Sequence, residues 1–518
     1  MRFRRATHPP AATSPVGIRR RMITAAIAGA CGVFAFAPFG CWPLQMLSLA
    51  ILFYQMLRAA SVKGGALVGW AYGFGASAAG VYWLFIAMHR FGGMPAVLAA
   101  IAVALLALFM GSYAALAMAL AAWLRQRRTL SVPVMNLLVL PALWALCEWL
   151  RGTVLTGFSW VSAGYAHNTS PLAGFAPLLG VYGVGWLAAV CAGCALLLMQ
   201  RRRGLALAII VLVLGSGAGL KLLEWTQPHG KPITVRLLQG NVAQEEKFAA
   251  SALDATLTQY HDAITLAPAD LIATPETALA LFPAQLPPDY LASLARFARK
   301  SHSHLLLGIP LSDSPLQYAN SAIGIGADAG AGAEPAYRYD KHHLVPFGEF
   351  IPFGFRWFVD LMSIPLGDFR RGAVVQAPFQ VKDQRVLPNI CYEDLFGEEI
   401  AQQLAAPSLD GPATILLNLS NLAWYGDSIA IAQHLQISQM RALETGRPML
   451  RATNTGATAV IDSHGAVLRE LAPDTRGTLA ATVQGMAGMT PYILHGNKLI
   501  LAIIFLVLAG AWLRKNSM

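Results

Sequence analysis

Seven apolar stretches of about 20 residues follow one another in the first 222 positions, at roughly 22–40, 43–60, 66–88, 95–124, 133–150, 172–200 and 204–222, and an eighth, 498–513, closes the sequence. A run of this length crosses the hydrocarbon core of a bilayer as a helix, because a helix satisfies its own backbone polar groups where no water can. Hydrophobic residues make up 56% of the chain and charged residues 13%, with a mean hydropathy of +0.51, which excludes an ordinary soluble protein. Residues 223–497 differ, with charges, turn dipeptides and alternating strand-like runs. The expected organisation is an N-terminal tail (1–21), a membrane domain of seven helices (22–222), one extramembrane domain (223–497), and a last transmembrane helix with its tail (498–518).

Lys and Arg resist translocation, so their distribution among short loops sets orientation. One side collects the N-terminal arginines, Arg58 with Lys63, Arg125 with Arg127 and Arg128, Arg201 to Arg203, and Arg514 with Lys515; the other carries only Arg90 and Arg151. Both termini are therefore expected in the cytoplasm and the large domain outside. The net charge of +11 sits mostly on the cytoplasmic flanks, so it argues for membrane orientation and against nucleic-acid binding. The first stretch has no convincing small-residue cleavage site and is read as a retained span, not a signal peptide.

Of six cysteines, Cys31, Cys41, Cys147, Cys191 and Cys194 fall in or beside apolar stretches, and only Cys391 lies in the outer domain. Cys191 and Cys194 form a CxxC without nearby His or acid ligands, which reads as small packing residues and not as a metal or redox site. A lone exported cysteine has no disulfide partner in its domain, so it is either a buried core thiol or kept for its reactivity.

The outer domain alternates strand-like runs, among them "ITVRLLQGNV" (233–242), "ADLIATPET" (269–277), "HLLLGIP" (304–310), "RVLPNICYE" (385–393), "ATILLNLSN" (413–421) and "PMLRATNTG" (448–456), with helical patterns at 249–265, 289–300 and 429–446. Several runs are apolar on both faces, as in strands covered by helices. Chemistry in such folds gathers at strand ends. There stand Glu276 in "ATPETAL" and Cys391 in "PNICYED", with Lys341 and Glu349 on the connection "YRYDKHHLVPFGEFIPF" (337–353). A thiol attacking a carbonyl needs a base for its proton and a cation or donors for the oxyanion, roles that Glu276 and Lys341 could fill. By spacing alone this trio is a weak signal, and an exposed salt bridge or a core thiol remains open. No Gly-rich phosphate loop or metal-spaced His cluster is present, so no cofactor and no metal are expected; "KHH" at 341–343 reads as flanking structure.

"TPETAL", "DKHHLVPFGEFIPF", "NICYEDLF" and "NLSNLAWYGDS" together resemble the nitrilase, or carbon–nitrogen hydrolase, superfamily. Set behind seven spans and ahead of an eighth, with "EWLRG" (148–152), "TGFSW" (156–160) and "RALETGRPMLRATNTGATAVID" (441–462), they resemble the apolipoprotein N-acyltransferase family of the Gram-negative inner membrane. The resemblance implies a multi-pass helical domain of about eight transmembrane helices joined to an αββα sandwich. It implies a triad of Glu276, Lys341 and Cys391, supported by Glu349, Tyr392 and Glu393.

The implied reaction moves an acyl chain from the sn-1 position of a phospholipid, phosphatidylethanolamine foremost, onto Cys391. The thioester then passes it to the α-amine of the S-diacylglyceryl cysteine of an apolipoprotein. A catalytic domain in the periplasm, no cofactor and a monomer are expected with it.

Residues 349–369 are rich in aromatic side chains, including Phe350, Phe353, Phe355, Trp357 and Phe358. They read as a loop that gates acyl chains at the membrane surface or as one packed on the domain core. Trp424 and Tyr425 line the acyl pocket or simply pack, and Arg151 pairs with Glu148 or meets a headgroup. Phe248 stands where relatives often carry Trp, and Leu422 where many carry Asp; both departures touch expected substrate-facing loops. A tethered amidase or nitrilase would use the same trio but pass the acyl group to water. A transporter would need ionisable residues or broken helices at mid-bilayer, whereas the charges here gather at the ends of the spans.

Overall fold

The computed structural model describes residues 15–200, 202–314, 317–327, 337–356, 369–407 and 411–514. Each of the eight apolar stretches carries helix, but fewer than eight helices are long enough to cross a bilayer alone. Among the described residues, Ala96–Arg127, Val132–Thr156, Pro171–Leu198 and Arg203–Leu220 meet the requirement, and Val62–Gly80 with Leu84–Phe91 make a fifth if this pair, bent by 62°, counts as one span. Pro43–Leu57 and Lys498–Leu513 are apolar but have 15 and 16 residues, or about 23 Å of helix against a core of about 30 Å. The expected 22–40 span divides into Pro15–Cys31 and a 3-10 turn, Gly32–Ala35.

Small residues bring these helices together. A Cβ on Gly73 would stand 2.7 Å from the Gly111 Cα, and one on Gly69 would stand 2.3 Å from the Ala114 carbonyl oxygen. Only glycine permits this approach of Val62–Gly80 to Ala96–Arg127, the usual basis of helix association where no hydrophobic effect operates.

The domain after the seventh apolar stretch is a sandwich of two six-stranded sheets. A two-residue ladder of β1 (Gln227–Pro228) and the late β14 (Met486–Ala487) ties its two ends together. In chain order the further strands are β2 (Ile233–Gln239), β3 (Leu271–Ala273), β4 (His304–Ser314), β5 (Gln317–Ile325), β6 (Tyr337–Asp340), β7 (Phe379–Val381), β8 (Gln384–Ile390), β9 (Ile415–Ser420), β10 (Met449–Thr453), β11 (Ala459–Ile461), β12 (Val467–Glu470) and β13 (Gly477–Val483). One sheet runs β13-β2-β3-β4-β5-β6 and the other β12-β11-β10-β9-β8-β7. Their facing sides share a core built from Val235, Leu237, Leu306, Val386, Leu417 and Leu450 among others.

Helices Ala250–Thr265 and Tyr290–Ser301 cover the outer face of the first sheet, while Gly397–Ala405 and Ile429–Thr445 cover the second. Strands apolar on both faces are the consequence of these four layers. The second helical layer also meets the membrane helices: Ile437, Met440 and Leu443 pack with Ala176, Val184 and Leu187. The Ala176–Leu198 helix is interrupted at Gly180, whose φ of 65° no other residue adopts cheaply. The restarted helix is capped from the other domain, since Val181 N–H donates to Glu444 Oε1 at 2.8 Å. Glu444 in turn pairs with the fully buried Arg441 at 2.9 Å.

Candidate active site

The two sheets contribute opposite halves of one site. Glu276 follows β3, Asn320 lies within β5 and Lys341 follows β6, all on the first sheet; Cys391 follows β8 and Asn421 follows β9 on the second. Lys341 is 1% exposed, with its ammonium 2.8 Å from Glu349 Oε1 and 3.4 Å from Glu276 Oε1. Asn320 Nδ2 donates to both carboxylates, at 2.7 Å to Glu276 and 2.8 Å to Glu349. The second oxygen of each carboxylate accepts a backbone N–H, from Asn421 at 2.9 Å and from Val345 at 2.9 Å. The carboxylates are thus fixed in position, which a base acting on a thiol requires.

Burial alone would lower the Lys341 ammonium, but Glu349 and Glu276 outweigh it and hold it above the usual lysine range. Burial pushes the Cys391 thiol up to about 12, Glu276 adds to the rise, and Lys341 opposes it. Cys391 therefore rests as a thiol, and any attack by its sulfur requires that proton to leave. Cys391 adopts a φ of 53° after the extended Ile390, which costs about 1–2 kcal/mol for a residue with a Cβ. This sharp turn at a strand end is the means of presenting a nucleophile above a sheet.

Glu393 and Tyr392 hold that turn. The Glu393 carboxylate accepts from Ile390 N–H at 2.6 Å, His342 N–H at 2.6 Å, His343 N–H at 3.2 Å and Tyr339 Oη at 3.0 Å, so it bolts the Cys391 turn to the Lys341 loop. Burial pushes its carboxyl up to about 7 against those donors. Tyr392 Oη donates to the Gly157 carbonyl at 2.8 Å, a contact with the membrane domain. His343 is flanking structure, bridging Glu399 Oε1 at 2.8 Å and the Thr156 carbonyl at 2.9 Å.

The remaining candidate residues differ in setting. Arg151 lies 3.8 Å from Glu148 and donates to the carbonyls of Phe158 and Trp160 and to Ser162 Oγ, so its guanidinium is engaged in folding the 153–162 loop. Tyr425 packs edge-on against Trp83, in the turn before Leu84, at 4.3 Å, and Trp424 against Phe91, at the end of the following helix, at 5.9 Å. Phe248 is 59% exposed. Phe347, Phe353 and Phe355 are exposed too, while Trp357 and Phe358 lie outside the described residues. Leu422 corrects an expectation. Its side chain is fully buried with Leu387, Ile400 and Leu435 in the layer between sheet and helices, so it does not face a substrate.

Sequence reading passed over Asn320, Asn421 and Lys247. Lys247 is 5% exposed, its ammonium donates to the Glu276 carbonyl at 3.0 Å, and burial lowers it to about 8 against the opposing pull of Glu276 and Cys391. In "QEEKF" it reads as one more solvated charge. Among the described residues no cluster of His, Cys, Asp or Glu is arranged to hold a metal.

An αββα sandwich in which a glutamate, a lysine and a cysteine converge from strand ends is a carbon–nitrogen hydrolase domain, and the family model of that description matches residues 234–492. A second model, the apolipoprotein N-acyltransferase N-terminal domain, matches residues 28–194. The chain belongs to the apolipoprotein N-acyltransferase family. It is 51% identical to an apolipoprotein N-acyltransferase of Ralstonia nicotianae, over 95% of this chain and 93% of that one. It is 44% identical to one of Nitrosomonas europaea, over 95% and 97%. Among solved structures, an amidase variant from Nesterenkonia sp. AN1 is 20% identical over 52% of this chain and 95% of its own, with a TM-score of 0.37.

Proposed function

We propose that the protein takes an acyl chain from the sn-1 position of a phospholipid, phosphatidylethanolamine foremost, and transfers it through a Cys391 thioester to an apolipoprotein. The acceptor is the N-terminal α-amine of the S-diacylglyceryl cysteine. The observation that carries this reading is the buried Glu276–Lys341–Glu349 cluster facing Cys391 in a chain whose Cys391 turn also contacts a loop of the membrane domain at Gly157.

In the first half, Cys391 Sγ attacks the ester carbonyl carbon while Glu276 takes the thiol proton, and Lys341 stabilises the oxyanion. The bond from carbon to the glycerol oxygen breaks, and Glu276 returns the proton to that oxygen, releasing a lysophospholipid. In the second half, the neutral α-amine attacks the thioester and Glu276 takes an N–H proton. The carbon–sulfur bond then breaks to give the amide, and the proton passes back to the cysteine.

Both substrates are lipids held in the bilayer, which accounts for a catalytic domain flanked by spans. Eight spans are proposed, with tail 1–21, membrane domain 22–222, periplasmic catalytic domain 223–497 and anchor 498–518, in the inner membrane, with both termini cytoplasmic and the enzyme monomeric. The two short apolar helices span by local thinning of the bilayer. The exposed Phe347, Phe353 and Phe355 dip toward the bilayer, and the 349–369 loop gates entry of acyl chains. Phe248, Trp424 and Tyr425 border the acyl path, and Arg151 stands at its headgroup end.

Intact-mass measurement of the purified protein after incubation with phosphatidylethanolamine tests the reading. A hydroxylamine-sensitive gain of one fatty acyl group, absent from Cys391→Ser, is expected. A folded protein that gains no such mass while hydrolysing small amides would replace acyl transfer to an amine with amidase chemistry.

A further inference from the structure

None of the acyl-transfer steps uses His434, yet it is 1% exposed and lies directly behind the nucleophile on the Ile429–Thr445 helix. Its Nδ1 is 2.9 Å from Arg451 Nη2. A guanidinium offers only donors, so Nδ1 accepts, and the single proton of the neutral ring sits on Nε2. That Nε2 is 3.2 Å from the carbonyl oxygen of Cys391, which also accepts from Asn418 Nδ2 at 3.3 Å. Burial, reinforced by the Arg451 cation, holds the imidazole well below its usual range and therefore neutral.

Arg451 is itself immobilised. Its Nη1 is 3.3 Å from Asp394 Oδ2, its Nε donates to the Ala457 carbonyl at 3.2 Å, and the Ser438 hydroxyl bonds to both Arg451 and Asp394. Trp160, on a membrane-domain loop, lies over the His434 ring at 5.6 Å and donates to the neighbouring Gln433 Oε1 at 2.7 Å. The ring can neither turn over nor move away.

We propose that His434 is a positioning residue for the nucleophile: in the tautomer imposed by Arg451, it donates to the Cys391 carbonyl and holds the left-handed turn that aims Sγ at the donor ester. The proposal rests on the acyl-transfer reading for its substrate, but not for the geometry of the turn. A carbonyl with two donors fixes the peptide plane after Cys391, and with it the direction of the Cα–Cβ bond. Misplacing a nucleophile by about 1 Å costs on the order of 100-fold in rate.

Two variants of the full-length protein in detergent separate positioning from packing. His434→Asn keeps an acceptor for Arg451 but is too short to reach the Cys391 carbonyl. His434→Gln places an amide N–H where Nε2 stood. Single-turnover acylation by phosphatidylethanolamine, followed by intact mass, is expected to slow by roughly 10- to 100-fold in the Asn variant with the half-saturating lipid concentration unchanged, and to stay within about 3-fold of the parent rate in the Gln variant.

An Asn variant as fast as the parent overturns the proposal, and so does a Gln variant as slow as the Asn one. Should neither variant fold, Ser438→Ala, which loosens Arg451 and keeps the packing, is expected to slow acylation a few-fold; the parent rate there overturns the proposal equally. Alkylation of Cys391 by iodoacetamide ranks the same variants without any lipid. If the parent forms no thioester but alkylation still separates Asn from Gln, the acyl-transfer reading fails and the positioning role stands.

Discussion

The two sheets of the sandwich hold equal numbers of strands but differ in what stands behind them. The β13-β2-β3-β4-β5-β6 sheet, which carries Glu276 and Lys341, is backed by helices Ala250–Thr265 and Tyr290–Ser301 of its own domain. The other sheet carries Cys391, and its covering helix Ile429–Thr445 is shared with the membrane domain through Glu444, Gln433 and the apolar contacts of Met440 and Leu443. The half proposed for acid–base work therefore depends on hydrogen bonds inside the sandwich, and the half proposed to carry the nucleophile depends on a joint between domains. Damage to the first should appear as lost rate in a folded protein, and damage to the second as lost stability that drags rate with it.

The largest effect expected is on the acid–base half. Glu276→Gln keeps the bond to Asn320 and the volume but removes the proton acceptor, and thioester formation should fall by about 10³-fold or more with little change in thermal midpoint. A large fall in midpoint would break the comparison.

Glu444→Gln tests the opposite half. It leaves Arg441 a buried charge without its carboxylate, a loss of about 3–5 kcal/mol that should lower the midpoint in detergent clearly, while acylation per folded molecule falls by less than about 10-fold. Equal losses of rate in these two variants would show that the halves are not separable.

Lys247 sharpens the comparison through pH. Its ammonium is lowered from 10.5 to about 8 by burial. Between pH 8 and 10.5 the unfolded chain holds more protons on this group than the folded one, so its contribution to stability rises with pH across that window and is most unfavourable below pH 8. Lys247→Met should therefore raise the midpoint at pH 7, by at most about 3 kcal/mol in stability, with the gain vanishing near pH 10.5, while acylation slows. A gain that does not depend on pH would point to packing and not to the buried charge. Phe248→Trp is expected to do least, changing acylation by no more than about 2-fold, because the ring is largely exposed.

Much of this was legible in the sequence because it rests on local pattern. Apolar length revealed the helices of the membrane domain, and alternation around 233–242, 385–393 and 413–421 matches β2, β8 and β9. Glu276, Lys341 and Cys391 stood out because each is a reactive group at a strand end. Span length was less legible, since the turn at 32–42 and the bend between Gly80 and Leu84 depend on how neighbouring helices pack.

Strands such as β6, β7 and β13 were invisible for other reasons: β6 and β7 have four and three residues, too few to show a pattern, and β13 owes its form to β2, far away in sequence. Asn320 and Lys247 escaped because an amide in a strand and a lysine in a charged run have ordinary exposed readings, and only tertiary structure buries them. Leu422 misled for the opposite reason, since a position beside the substrate loop in sequence points its side chain into the core.

The joint at Gly180 has a consequence for synthesis. The donor, Val181, and its acceptor, Glu444, are separated by 263 residues, which take roughly 15–50 s to translate at about 5–20 residues per second. For that interval the restarted helix has no carboxylate at its N-terminus, although its neighbouring segments have already left the ribosome. Maturation of the membrane domain thus waits on a side chain made near the end of the chain, and translation that stopped before residue 444 would leave an incomplete membrane domain as well as a missing catalytic half.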